Sequence, residues 1–127
     1  MKKSMSADST KLNERLVKAL NEVVAYFHAR GLDVFMFGSL ARTFPFAKTS
    51  ADIDLGIQAA PDIPTDTRKA LKREASDQLK SLPTIRAVDV VDFDEVGERF
   101  KIVALASRLD FPLPYDGSDD TRELSGF

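Results

Sequence analysis

Three aspartates stand where a small domain would ordinarily place apolar or neutral residues. Asp52 and Asp54 flank Ile53 in "ADIDLGI", residues 51–57, and Asp89 interrupts "AVDVVDF", residues 87–93. Residues two apart on a strand project from one face. Ile53 and Leu55 therefore turn to the core while both carboxylates turn the other way. Removing a carboxylate from water is costly unless its charge is compensated, and like charges this close resist joint ionisation. A divalent cation supplies the compensation. Mg²⁺ takes oxygen ligands, usually one or two carboxylates together with substrate phosphates. If the Asp89 strand lies beside the Asp52 strand, three carboxylates converge, a set able to hold two ions for in-line attack on a phosphoryl group. The bland alternative is an edge strand with a wet acidic face, and for Asp89 a half-exposed strand position.

A second group precedes them. Val34-Phe35-Met36-Phe37 is a continuous apolar run, and Gly38-Ser39 follows it before Leu40-Ala41-Arg42 starts a helical turn. A strand-to-helix turn aims free N–H groups at one point, where phosphate fits. Gly38 lets a ligand approach the backbone, Ser39 adds a hydroxyl, and Arg42 adds a fork of donors. Alone, such a pair is more often a plain turn. Lys48-Thr49 is not a Walker motif, because Ala47 and Thr43 stand where that pattern needs glycine.

The elements must position these groups. A chain of 127 residues, 43% hydrophobic, builds one core and one domain. The net charge of −2 disfavours a non-specific grip on nucleic acid. Cysteine is absent, which excludes disulfides and thiolate chemistry, and the single histidine, His28, reads as a surface or cap residue. No signal peptide or membrane span is legible, so a cytoplasmic protein is expected. Residues 1–8 read as a flexible N-terminus. Ser9 or Thr10 is expected to cap a helix running to about Arg30 and stopped by Gly31, with Leu12, Leu16, Leu20, Val24 and Phe27 on its inner stripe. Strands are expected at 34–37, 52–57 and 87–92. A second helix spans Thr65 to about Ser81, apolar through Ala70, Leu71, Ala75 and Leu79, with a basic outer side (Arg68, Lys69, Lys72, Arg73 and Lys80). Asp94 is expected to cap a third helix to about Leu109, packed through Val96, Phe100, Val103, Ala104 and Ala106. Residues 110–127 read as an acidic tail, a candidate partner-binding segment, in which Phe111 and Leu113 alternatively pack on the domain. The order implies an α/β (α+β) fold with a small mixed sheet of three to four strands flanked by helices.

Taken together, Gly38-Ser39-Leu40-Ala41-Arg42-Thr43, Ala51-Asp52-Ile53-Asp54-Leu55 and Val88-Asp89-Val90-Val91-Asp92 resemble the nucleotidyltransferase superfamily that includes DNA polymerase beta, and most closely its minimal (MNT) branch, over residues 12 to 109. Thr43 departs from the family's usual glycine, and the loop from Ser39 to Asp52 looks about two residues longer than the common spacing. The resemblance implies a single minimal nucleotidyltransferase domain at 9–109, with Gly38, Ser39 and Arg42 on the triphosphate of ATP. It implies Asp52, Asp54 and Asp89 as catalytic ligands of two Mg²⁺ ions, Asp89 also helping to deprotonate the attacking hydroxyl. It further implies AMP transfer to a hydroxyl with release of pyrophosphate. The expected partner is a HEPN-domain RNase toxin, modified on tyrosine by this chain as its antitoxin within a hetero-oligomer. The alternatives are a small-molecule nucleotidyltransferase with a helper subunit, and an antitoxin with a decayed site that inhibits by occupation.

Overall fold

The computed structural model describes residues 9–48 and 50–115. The expected flexible N-terminus at 1–8, Thr49, and the tail residues 116–127 with Phe127 lie outside them. The elements run β1 (Ser9–Lys11), α1 (Glu14–His28), β2 (Leu32–Phe37), α2 (Gly38–Thr43), β3 (Phe46–Lys48), β4 (Ile53–Ala59), α3 (Thr65–Lys80), β5 (Val88–Asp92), α4 (Glu98–Leu105) and β6 (Leu109–Asp110). Four strands form a mixed sheet in the order β5-β4-β2-β6. β4 and β5 run parallel, whereas β2 is antiparallel to both β4 and β6. The expected small mixed α/β architecture is therefore present.

Strand alternation gives this sheet two unlike faces. Leu32, Val34 and Met36 of β2 and Ile53, Leu55 and Ile57 of β4 enter one cluster with Leu16, Leu20 and Phe27 of α1 and Leu71, Ala75 and Leu79 of α3. Each fully buried Leu, Ile or Phe there is worth about 1.5–3 kcal/mol relative to exposure. Ala70, expected on the α3 stripe, is exposed. On the other face Phe35, Phe37, Phe93 and Ala104 form a smaller cluster. Phe93 meets Phe35 and Phe37 edge-on, with ring centroids 4.8 and 5.3 Å away. Gly56 makes room, since a Cβ there would fall 2.5 Å from Phe35 and 2.6 Å from Phe93.

The differences from expectation have local causes. α1 begins at Glu14, not at Ser9 or Thr10, because residues 9–11 pair with 46–48 and leave the helix only after Asn13. The Asn13 side chain accepts from the Arg15 N–H at 2.7 Å and caps the helix. The same ribbon absorbs part of the long Ser39–Asp52 loop as β3. α4 does not start at Asp94. That carboxylate accepts from the Ala59 N–H at 3.0 Å and pairs with Lys72 at 2.8 Å, so residues 93–97 turn and Gly97 precedes the helix. Of the expected α4 stripe only Ala104 is buried, while Phe100 is 42% and Val103 69% exposed. Past α4 the chain rejoins the domain. β6 pairs with β2, and Leu113 is buried with its backbone gripped by Asn21, whose side chain donates to the Leu113 carbonyl at 3.0 Å and accepts its N–H at 2.7 Å. Phe111 and Leu113 thus pack on the domain, the second of the two expectations for that stretch. Among the described residues no helix is long and apolar enough to cross a membrane.

Candidate active site

The second face of the sheet carries the acidic residues at one end. Parallel pairing of β4 and β5 places Asp54 opposite Asp89, and antiparallel pairing places Asp54 opposite Phe37, the last residue of β2. One row across three strands therefore reads Asp89, Asp54, Phe37. The next row along, Val91, Gly56 and Phe35, belongs to the aromatic cluster, which walls the carboxylates on one side. Asp52 lies two residues before Asp54, just outside β4, and is exposed, as is Asp89; Asp54 is half-buried between them.

Electrostatics ties the three together. The Asp54 carboxyl is held above the ordinary aspartate range, first by burial, then by the charge of Asp89, then by that of Asp52. The shift reports that the fold disfavours the Asp54 anion where two further anions face it. A bound cation would offset such an arrangement. The donor set consists only of carboxylate oxygens, which suits a hard divalent ion. Among the described residues no group of three or more histidine, aspartate or glutamate side chains is placed to hold a metal ion by itself. Asp54 with Asp89, or Asp54 with Asp52, leaves coordination positions for substrate oxygens, the usual mode of Mg²⁺.

The Gly38-Ser39 turn meets this group directly. Gly38 has φ +84°, in the left-handed region that favours glycine. A Cβ built on it would lie 2.6 Å from Asp54 Oδ2, so the backbone passes against the carboxylate and only glycine leaves the oxygen in place. The Gly38 N–H donates to Ser107 Oγ at 2.9 Å, and the Ser107 hydroxyl donates to the Ala104 carbonyl at 3.0 Å. Ser39 and Arg42 follow on the exposed side of α2. Thr43 closes α2: its hydroxyl reaches the Ser39 carbonyl at 3.2 Å and also the Phe46 carbonyl, tying the helix end to β3. Of the six expected site residues, Asp54 and Asp89 are register partners and the Gly38 backbone lies against Asp54, while Asp52, outside β4, bears on Asp54 only through its charge. Ser39 and Arg42 lie exposed on the adjoining short helix, with no hydrogen bond or ion pair to the carboxylates among the described residues.

Two residues here were not legible in the sequence. Ser107 reaches Gly38 across 69 positions of chain, and Arg86 reaches the turn before Asp52 across 35. Neither sits in a motif. Asp92, the last residue of β5, pairs with Lys72 at 3.0 Å.

Neither a protein-family model nor a curated protein matches the chain. Among solved structures it is similar to a chain of a Shewanella oneidensis complex described as a tri-AMPylated HEPN toxin with MNT antitoxin, with a TM-score of 0.44 and 15% identity, over 90% of this chain and 82% of that one.

Proposed function

We propose that this chain is a Mg²⁺-dependent nucleotidyltransferase that moves AMP from ATP to a hydroxyl group of a partner protein. The observation that carries the proposal is the register that sets Asp54 opposite Asp89, with Asp52 two residues upstream and the Gly38 backbone against Asp54. Asp52, Asp54 and Asp89 would hold the divalent ions. Bound there, such ions polarise phosphoryl oxygens and favour a nucleophilic oxygen at neutral pH. Gly38 keeps the backbone low enough for a triphosphate to approach, and Ser39 offers its hydroxyl to a terminal phosphate, with Arg42 as a neighbouring cation. Asp89, exposed at the rim, accepts the proton as the acceptor hydroxyl attacks the α-phosphorus. The bond from that phosphorus to the bridging oxygen breaks, pyrophosphate leaves, and a phosphodiester to AMP remains. Phe37 and Phe93 wall the sheet side of the site with apolar surface, which keeps water from competing there.

The motif resemblance supports placing the chain as the antitoxin of a HEPN RNase toxin, adenylylated on tyrosine. Incubation with ATP labelled at the α-phosphate, Mg²⁺ and the co-purified partner tests this. Label should move to the partner, and an Asp52→Ala, Asp54→Ala variant should transfer none; equal transfer by that variant rejects the proposal. A second reading, an antitoxin that acts by occupation alone, is favoured by one observation: Ser107 already engages the Gly38 N–H. An antitoxin of that kind gives no heat on calorimetric titration with Mg-ATP.

A further inference from the structure

Asp52 is the weakly held member of the acidic group. It is exposed, precedes β4 rather than lying within it, and no hydrogen bond or ion pair of its side chain is shown among the described residues. A carboxylate in that situation samples many positions, and each must be given up on binding a cation. Its backbone, however, is bracketed from one place. The Arg86 Nη1 donates to the Lys48 carbonyl at 2.7 Å and to the Ala51 carbonyl at 3.0 Å. The Ala51 N–H donates back to the Lys48 carbonyl at 3.0 Å, closing the turn that Arg86 grips. On the other side of Asp52, the Ile53 N–H donates to the Ala87 carbonyl at 2.9 Å. Arg86 is itself braced, its own N–H donating to Thr84 Oγ1 at 3.0 Å. Residues 86 and 87, which lead into β5, thus hold the residues before and after Asp52. The same two residues immediately precede β5, the strand that presents Asp89.

We infer that Arg86 is a positioning residue, fixing Asp52 beside Asp54 and Asp89 so that the carboxylates act as one cation site; this rests on the nucleotidyltransferase reading above. A planar guanidinium on a long stem suits the task, since one nitrogen offers two hydrogens in fixed directions to two carbonyls. Outer contacts that orient metal ligands typically change affinity about 10- to 100-fold when removed.

The test uses Arg86→Met, which keeps the apolar stem and removes the donors, with Mn²⁺ as probe and amide hydrogen exchange as a readout that needs no metal. Exchange at Ala51 and Ile53 should quicken, and Mn²⁺ affinity should fall about 10- to 100-fold. In an Asp52→Asn background the Met substitution should cost nothing further, because Arg86 acts through Asp52. Arg86→Lys, which returns a cationic donor, should recover part of the affinity; should the Met variant not fold, Arg86→Gln carries the same comparison. Unchanged exchange, unchanged Mn²⁺ affinity, losses that multiply with Asp52→Asn, or a Lys variant as weak as the Met variant would each overturn the assignment to Arg86. A wild-type protein that binds no Mn²⁺ overturns the nucleotidyltransferase reading, and this role with it.

Discussion

Gly38 and Gly31 flank β2 and form a natural experiment. Both adopt positive φ, +84° and +94°. Both would place a new methyl group against the end of a side chain: Asp54 Oδ2 at 2.6 Å for Gly38, and Ile63 Cδ1 at 2.5 Å for Gly31. An L-residue in the left-handed region costs about 1–2 kcal/mol. Neither close contact adds much, since a carboxylate or an isoleucine tip can rotate away. Gly38→Ala and Gly31→Ala should therefore lower the melting temperature by similar amounts, roughly 4–8 °C for a domain of this size. Their effects on cation binding should differ. Rotation of Ile63 changes nothing at the acidic group, whereas rotation of Asp54 removes an oxygen from it. Mn²⁺ affinity should be unchanged in Gly31→Ala and reduced about 10- to 100-fold in Gly38→Ala. Thermal melts followed by calorimetric Mn²⁺ titration of the two variants make the comparison. Equal Mn²⁺ affinity in both would refute the claim that the Gly38 backbone sets the position of the Asp54 carboxylate.

Three further outcomes follow from the packing and the charges. Because the folded Asp54 pKa lies above its unfolded value, the protein gains stability as pH falls through it; in chelator at neutral pH, Asp54→Asn should stabilise by about 0.2–1 kcal/mol, a gain that disappears in acid where the native carboxyl is already protonated. At Asp94, burial opposes ionisation, but the Ala59 N–H and Lys72 outweigh it and hold the pKa low. At Lys72, burial is outweighed by hydrogen bonds to Asp94 and Asp92, which hold its pKa high. Their contribution is thus present above the ordinary aspartate range and below the ordinary lysine range, and Lys72→Met should cost about 1–2 kcal/mol at pH 7 and little in acid melts. Phe93→Ala, at a residue 1% exposed against three phenylalanine rings, should cost about 3–5 kcal/mol in urea unfolding.

The residue patterns that read well were those with a local period. The stripe of α1, the two-faced run of β2, and the alternation around Asp52 and Asp54 all follow from side-chain geometry within one element. β1, β3 and β6 are two or three residues long, too short to show a period, and exist because a partner strand offers a ladder. Asp94 read as a cap because its type and place suit one. The competing partners, Ala59 and Lys72, come from other elements and are visible only in the fold. The site divides the same way. The aspartates and Gly38 announce themselves by spacing, whereas Arg86, Ser107 and the burial of Phe93 depend on contacts made across the chain.

The most direct measurement is calorimetric titration with Mg-ATP of the wild-type protein beside an Asp54→Ala, Asp89→Ala variant whose melting curve shows it folded. Saturable heat in the wild type and none in the variant is the predicted result. No heat in the wild type, or the same isotherm in both, would contradict a nucleotide site built on these carboxylates.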